Sequence, residues 1–349
     1  MIEQLFFGET DRGEFASRFI LENKNGMWIE VSDFGALVLS ISLRDKNGFM
    51  RDVALGFENM EDYLNTETGM GAYVGRNANR IKGACVNIEG VNYSLETNEG
   101  NNNLHSGYNR SHCQIYYSKK GIEDRGEYVE FYRVSPHLEQ GFPGNLAQVI
   151  RYTLTDSNEF IIDYEMYSDM STIVNPTNHT YFNLDGHDSG TVLEHELEIY
   201  SDAFLNINEE MIPTGDVVNV SDTPMDFRIR KRIGNDINVD FIPLKYANGY
   251  DHNYVFENDR KLKKVAKLYG ADSGITMTVL SDLCGLQIYT GNFLNGEKGK
   301  DGVCYQKNSG ICLETQFYPN ACNEKKFPSP LLEAGKKFVS RTIYKFELQ

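Results

Sequence analysis

The sequence predicts an all-β protein built as one large antiparallel domain over residues 1–349. Three observations carry that expectation. Apolar residues recur with period two in many short segments. Glycine-containing turn pairs separate those segments. No stretch shows sustained 3.6-residue periodicity with helix caps over 15 residues.

The elements follow in chain order. After Asn25-Gly26, residues 28–32 and 37–43 are short and rich in β-branched and aromatic residues, and Asn47-Gly48 closes the second. Residues 58–64 offer two turns of helix. Residues 84–88 and 91–96 read as a hairpin turning at Glu89-Gly90. Segments 128–134 and 149–155 continue the pattern. Phe160, Ile162, Tyr164 and Met166 then alternate with Ile161, Asp163 and Glu165. Residues 235–239 allow one helical turn. Strands are expected again at 275–281 and 285–290, and at the C-terminus Phe338, Ser340, Thr342, Tyr344, Phe346 and Leu348 alternate with Val339, Arg341, Ile343, Lys345 and Glu347. The polar, Gly-rich stretch 294–310 reads as a long surface loop within the domain. The length prior of about 150 residues per domain allows two units, but large β-domains often exceed it.

Composition narrows the function. With 34 basic and 50 acidic residues the net charge is −16, which argues against nucleic acid and against an anionic membrane surface. The short basic runs 228–232 and 261–267 are expected to be solvated faces. No apolar stretch approaches a membrane span. The N-terminal residues lack a basic, then apolar, leader pattern, so the expected compartment is the cytoplasm. A chain of this size buries enough surface to need no disulfide or metal staple. The six cysteines form no CxxC pair and are expected to be free thiols, and the seven histidines form no HxxxH or HExxH pair, so neither metal nor cofactor is predicted.

Four polar regions combine ionisable, amide and aromatic residues: GRNANRIKG (75–83) with NLHSG (103–107), NPTNHTYFNLDG (175–186), GYDHNYVF (249–256), and GLQIYTGNF (285–293) with GICLETQFYPNAC (310–322). Each alone can be turn chemistry or a hydrogen-bonded core residue. Glu314 is different, because it interrupts an apolar strand pattern, and a buried carboxylate is costly without a partner or a proton. Amides, carboxylates, Arg and His together suit a polyhydroxylated sugar, whose hydroxyls both donate and accept. His with a carboxylate also supplies an acid and a base near neutral pH.

In their order and spacing these motifs resemble the aldose 1-epimerase (galactose mutarotase) family along essentially the whole chain. The likeness runs from GMWIEVSDFGALVLSISLRDKNG through IPTG and TPMDFR to CLETQFYPNACNEKKFPSPLL. It implies a large antiparallel β-sandwich of the galactose mutarotase type and interconversion of the anomers of a free aldohexose, glucose or galactose, without cofactor or metal. Carried over residue by residue, it implies sugar binding by Asn79, Arg80, His105, His179, Asp251 and Gln287. It implies catalysis by Glu314 as base and His179 as acid, with His105 assisting. The oligomeric state, monomer or homodimer, is left open.

The departures from the family pattern are Ser106 after the first histidine, Pro176 and Thr180 around the second, and Tyr318 and Asn320 after the glutamate. They are expected to bear on sugar preference. Two other readings compete. Asp251 and Glu314 as the carboxylate pair of a glycosidase leave both histidines idle. A binding-only module on the same fold has no need to keep His179 and Glu314. A phosphorylated sugar would call for clustered cations, and the matched motifs offer one obvious arginine, Arg80, in a chain of net charge −16, so a free sugar is favoured.

Overall fold

Alternating sequences give strands with one apolar and one polar face, and such strands are stable only when the apolar faces meet. The computed structural model describes residues 2–349. Among them, nine strands form one antiparallel sheet in the order Tyr117–Glu123, Gly126–Ser135, Leu146–Leu154, Glu159–Ser168, Lys337–Leu348, Ile275–Ser281, Lys263–Tyr269, Glu196–Ile199, Lys231–Arg232. A second antiparallel sheet has six strands in the order Tyr181–Phe182, Ile311–Gln316, Gly285–Tyr289, Asp251–Val255, Ala203–Ile207, Pro213–Asn219. Five N-terminal strands, from Glu3–Glu9 to Met50–Asp52, make a third sheet in sequence order.

One apolar cluster joins all three. It takes Val31, Val38 and Ile41 from the N-terminal sheet, Ile150, Phe160, Val279 and Tyr344 from the nine-stranded sheet, and Leu286, Ile288, Ile311 and Leu313 from the six-stranded sheet. Polar links cross the same layer. The Thr315 and Thr342 hydroxyls hydrogen-bond each other, and the Tyr344 hydroxyl donates to the Leu313 carbonyl at 2.9 Å. The result is a large antiparallel β-sandwich: the alternation predicts the all-β class, and the resemblance implies the sandwich.

The expected hairpin is present as Cys85–Ile88 paired with Val91–Ser94. Its turn residues Glu89 and Gly90 have φ of 53° and 86°, the left-handed pair that a two-residue hairpin needs. The expected helix forms as α1, Met60–Asn65, with the Asn59 side chain capping the Asp62 N–H. The expected turn at 235–239 is displaced. A 3-10 turn occupies Ile233–Asn235, and the true helix is α2, Ile242–Ala247, started by Pro243 in its first turn and ended by Asn248 at φ 55°. The stretch 294–310 is also more ordered than its composition implies. It holds the small ladder Glu297–Lys298 with Cys304–Tyr305, strands too short to show a period. Lys300 pins it to the N-terminal sheet, its ammonium lying 2.6 Å from Asp52 and 2.8–2.9 Å from the Ala54 and Leu39 carbonyls.

The basic runs are paired on the surface. Arg228 meets Asp202 and Asp226, Lys231 meets Asp236, and Lys263 meets Asp259. All six cysteines are free thiols. No helix among the described residues is long and apolar enough to cross a membrane.

Candidate active site

The outer face of the six-stranded sheet follows from the same period of two. In Ile311–Gln316 the core takes Ile311 and Leu313, so Cys312, Glu314 and Gln316 point the other way. In Gly285–Tyr289 the core takes Leu286 and Ile288, leaving Gln287 and Tyr289 outward. In Asp251–Val255 the core takes Tyr254, and His252 packs on Phe204 on that same side, leaving Asp251 and Asn253 outward. Register then aligns them in rows: Asn253, Gln287 and Glu314 across three strands, and Asp251, Tyr289 and Cys312 beside them. Gly249, two residues before Asp251–Val255, has φ 142°, and a Cβ there would lie 2.4 Å from the Asn292 side chain.

The facing wall comes from irregular segments. Arg80–Ile81 pairs with Asn103–Leu104, which brings Asn79 against His105. The contact is reciprocal: the His105 N–H donates to the Asn79 carbonyl at 3.1 Å, and the Asn79 N–H donates to His105 Nδ1 at 3.2 Å. An accepting Nδ1 puts the proton of the neutral ring on Nε2. Asn79, His105 and Ser106 all have positive φ, between 51° and 71°, so these side chains are presented from strained turns. His179 lies between Thr177–Asn178 and Tyr181–Phe182, and its peptide is fixed by Ala72 and Gly71.

These walls enclose a cleft of about 790 Å³, large enough for a small ligand. Its lining includes Asn79, Arg80, His105, His179, Asp251 and Glu314. His179 Nε2 is 3.7 Å from Glu314 Oε1, and both residues are at most 7% exposed. The His105 and His179 rings meet edge to face at 5.5 Å. Tyr181 lies 5.1 Å from the His179 ring, and Tyr289 lies 6.1 Å from it.

Charge in the cleft is arranged in pairs. Arg80 gives Glu99 two hydrogen bonds of 2.7 Å and lies 3.8 Å from Asp251. Burial works against its charge, but Asp251 and Glu99 more than offset that, so its pKa is raised. Burial also raises the Asp251 carboxyl, against the pull of Arg80 and of Gln287 Nε2, which donates to Asp251 at 2.5 Å. Burial and then Asp251 push Glu314 well above the usual carboxyl range, with Arg80 opposing. Burial pushes His179 down to about 4 and His105 well below an ordinary histidine, the latter with help from His179 and Arg80. Burial therefore favours the protonated carboxyl of Glu314 and the neutral ring of His179.

Six of the seven sequence-predicted residues line the cleft. Gln287 does not, because it sits behind Asp251 and holds that carboxylate. Sequence reasoning missed Glu99, His112, Tyr289 and Cys312. Glu99 stands in a TNEGNNN turn run, where an acid is unremarkable. Cys312 and Tyr289 were readable only from strand parity once Glu314 and Gln287 were placed. His112 lines the cleft, and burial lowers it to about 3. The departing residues are structural rather than lining. Ser106 Oγ accepts from the Asn77 N–H at 2.8 Å, Asn320 holds the Arg80 carbonyl and the Lys82 N–H, and the Tyr318 hydroxyl bonds the Phe256 carbonyl.

Comparison with known proteins bears on the chain as a whole. The family described as Aldose 1-epimerase matches residues 17–345. The chain is 35% identical over 348 residues to galactose mutarotase of Bos taurus, covering 99% of each chain. It is 34% identical over 332 residues to aldose 1-epimerase of Escherichia coli, covering 93% of this chain and 94% of that one. Among solved structures, galactose 1-epimerase from Lactobacillus acidophilus superposes with a TM-score of 0.87 at 26% identity, covering 100% of this chain and 99% of the other. A GalM/aldose epimerase homologue from C. elegans gives 0.84 at 28% identity, covering 99% of each.

Proposed function

The chain belongs to the aldose 1-epimerase family and interconverts the anomers of aldoses, and on that premise we propose how its residues do so. The substrate is a free, neutral aldohexose such as D-glucose or D-galactose. Glu314 removes the proton of the C1 hydroxyl while His179 delivers a proton to the ring oxygen. The bond between C1 and the ring oxygen breaks and leaves the open aldehyde. Rotation about C1–C2 exposes its other face, and the two groups act in reverse to close the other anomer.

The observation that carries this reading is the buried Glu314–His179 pair, 3.7 Å apart on one wall of a sugar-sized cleft. Burial favours the form of the pair in which the carboxyl carries the proton. A sugar hydroxyl donating to Glu314 favours the carboxylate, and a ring oxygen accepting from His179 favours the protonated nitrogen. Substrate thereby converts the pair into base and acid. His105, with Nε2–H available, and Arg80 hydrogen-bond the oxygens where charge develops. Asp251 orients two hydroxyls, Gln287 orients Asp251, and Asn79 completes the set. Both arginines that line the cleft already face carboxylates, Arg80 with Glu99 and Arg110 with Glu67 at 3.4 Å, which supports a neutral sugar over a phosphorylated one.

We read residues 1–349 as one catalytic unit, working in the cytoplasm with no nucleic-acid or membrane partner. Polarimetry of fresh α-D-glucose and α-D-galactose tests the function. The protein accelerates the approach to anomeric equilibrium, and an unchanged rate with both sugars defeats the reading. Release of chromophore from a nitrophenyl glycoside would point to hydrolysis instead.

A further inference from the structure

Cys312 takes no part in ring opening, yet it sits against the reacting pair. Its Sγ lies 3.4 Å from His179 Nδ1. Two residues further along the same strand face, Glu314 Oε1 is 3.7 Å from His179 Nε2, and Glu314 Oε2 is buried without a hydrogen-bond partner. One ligand atom from each of the three side chains lies within 4.8 Å of the other two, and all three residues are buried. No spacing pattern announces this cluster, because the histidine is more than 130 residues from the strand that carries the other two.

The donor set is chemically selective. Thiolate, imidazole and carboxylate together suit Zn²⁺ and its neighbours in the transition series, whereas Mg²⁺ and Ca²⁺ want oxygen alone. A dication with one thiolate and one carboxylate is also neutral overall, which limits the penalty of burying it. Three protein ligands leave a fourth position free, as in zinc sites that exchange water, and two of the three, His179 and Glu314, line the cleft. Cys312 faces Nδ1 of His179 and Glu314 faces Nε2, so side-chain rotation must bring one nitrogen, the thiolate and the carboxylate together from separations of up to 4.8 Å.

We propose that His179, Cys312 and Glu314 form a binding site for a thiophilic divalent cation of the Zn²⁺ class, and that its occupation switches the epimerase off. On binding, Cys312 and Glu314 release their protons to solvent, and His179 binds through an unprotonated ring nitrogen. The ion then occupies both groups that exchange protons with the sugar, so ion and sugar exclude each other. The loss of activity rests on the roles proposed for Glu314 and His179, whereas binding of the ion does not.

The test titrates chelator-treated, full-length protein with Co²⁺ as a spectroscopic probe. A thiolate ligand produces a sulfur-to-cobalt charge-transfer band in the near ultraviolet. Saturating D-galactose suppresses the band, and Zn²⁺ displaces Co²⁺ and inhibits mutarotation, whereas Mg²⁺ does neither. Cys312→Ser abolishes the band and weakens Zn²⁺ inhibition by at least about 10²-fold, the upper end of what loss of even an indirect metal partner costs. Absence of a galactose-sensitive band overturns the proposal, and this arm needs only the native chain should the variant fail to fold. Equal Zn²⁺ inhibition of native protein and Cys312→Ser overturns it too, since the ion then acts through another group such as the exposed thiol of Cys304. A protein that gains the band but shows no mutarotation keeps the ion site and loses the functional reading.

Discussion

The strands Asp251–Val255, Gly285–Tyr289 and Ile311–Gln316 present two faces one residue apart, and the two faces do opposite work. On the inner face Leu286, Ile288, Ile311 and Leu313 are fully buried in the core that joins the sheets. On the outer face polar atoms are buried without partners: Glu314 Oε2, Gln287 Oε1, both amide atoms of Asn253 and both of Gln316. An unsatisfied buried polar group costs about 1–3 kcal/mol. Core burial therefore holds the sheet together, while its outer face carries polar side chains, of which Asp251 and Glu314 line the cleft. Leu313 and Glu314 are adjacent in sequence and differ only in which side of the pleat they occupy.

The comparison is tested most strongly at Glu314 and His179. Glu314→Gln and His179→Asn are each expected to lower the mutarotation rate by at least about 10²-fold while the thermal unfolding midpoint holds. Near-native polarimetric rates would remove these residues from their roles. On the opposite face, Leu313→Ala is expected to cost about 2–5 kcal/mol in denaturant titration, with kcat of the folded fraction unchanged. A stable Leu313→Ala protein with lost turnover would erase the division between the faces.

Proton inventory sharpens the same contrast. In the proposed mechanism the Glu314–His179 pair works with one proton. Activity should fall in acid as a second proton is added near the pKa of about 4 to which burial lowers His179. It should fall in alkali as the last proton leaves, on a limb set by the raised carboxyl of Glu314. Glu314→Gln should remove the alkaline limb from the residual kcat/KM profile, and a limb that persists would assign it to another group.

Smaller effects map the edges of the cleft. Glu99→Gln removes one of the two carboxylates that hold Arg80 and is expected to raise KM about tenfold, roughly the worth of one charged hydrogen bond, with kcat little changed. An unchanged KM would show that Asp251 alone fixes Arg80. The smallest change is expected for Gln316→Met. Gln316 is fully buried and neither side-chain amide atom has a partner, so an apolar side chain of similar size should leave stability within about 1 kcal/mol. A larger loss in calorimetry would reveal water-mediated bonds on this face.

Much of this organisation was legible in particular residues. The alternation at 160–166 and 338–348 and the Glu89-Gly90 turn are local signals, and each became the element it announced. Glu314 stood out because it breaks an apolar run, which is a local contradiction that only a special environment resolves. The helix Ile242–Ala247 did not stand out, because six residues give less than two turns of pattern. The role of Lys300 in tying a polar loop to Asp52 was invisible, because it depends on a partner almost 250 residues away.

The sequence by itself determined the class of fold, the alternation of faces within each strand, and the resemblance that names the chemistry. Parity is a property of the backbone and needs no partner. Only the tertiary structure decided what those side chains meet. It placed Gln287 behind Asp251 rather than on the cleft wall, gave Arg80 to Glu99, and brought His179 between Glu314 and Cys312. Those contacts join residues far apart in the chain. Burial then set the protonation of Glu314 and His179, because the energy of a charge depends on the surroundings that close around it, not on its neighbours in sequence.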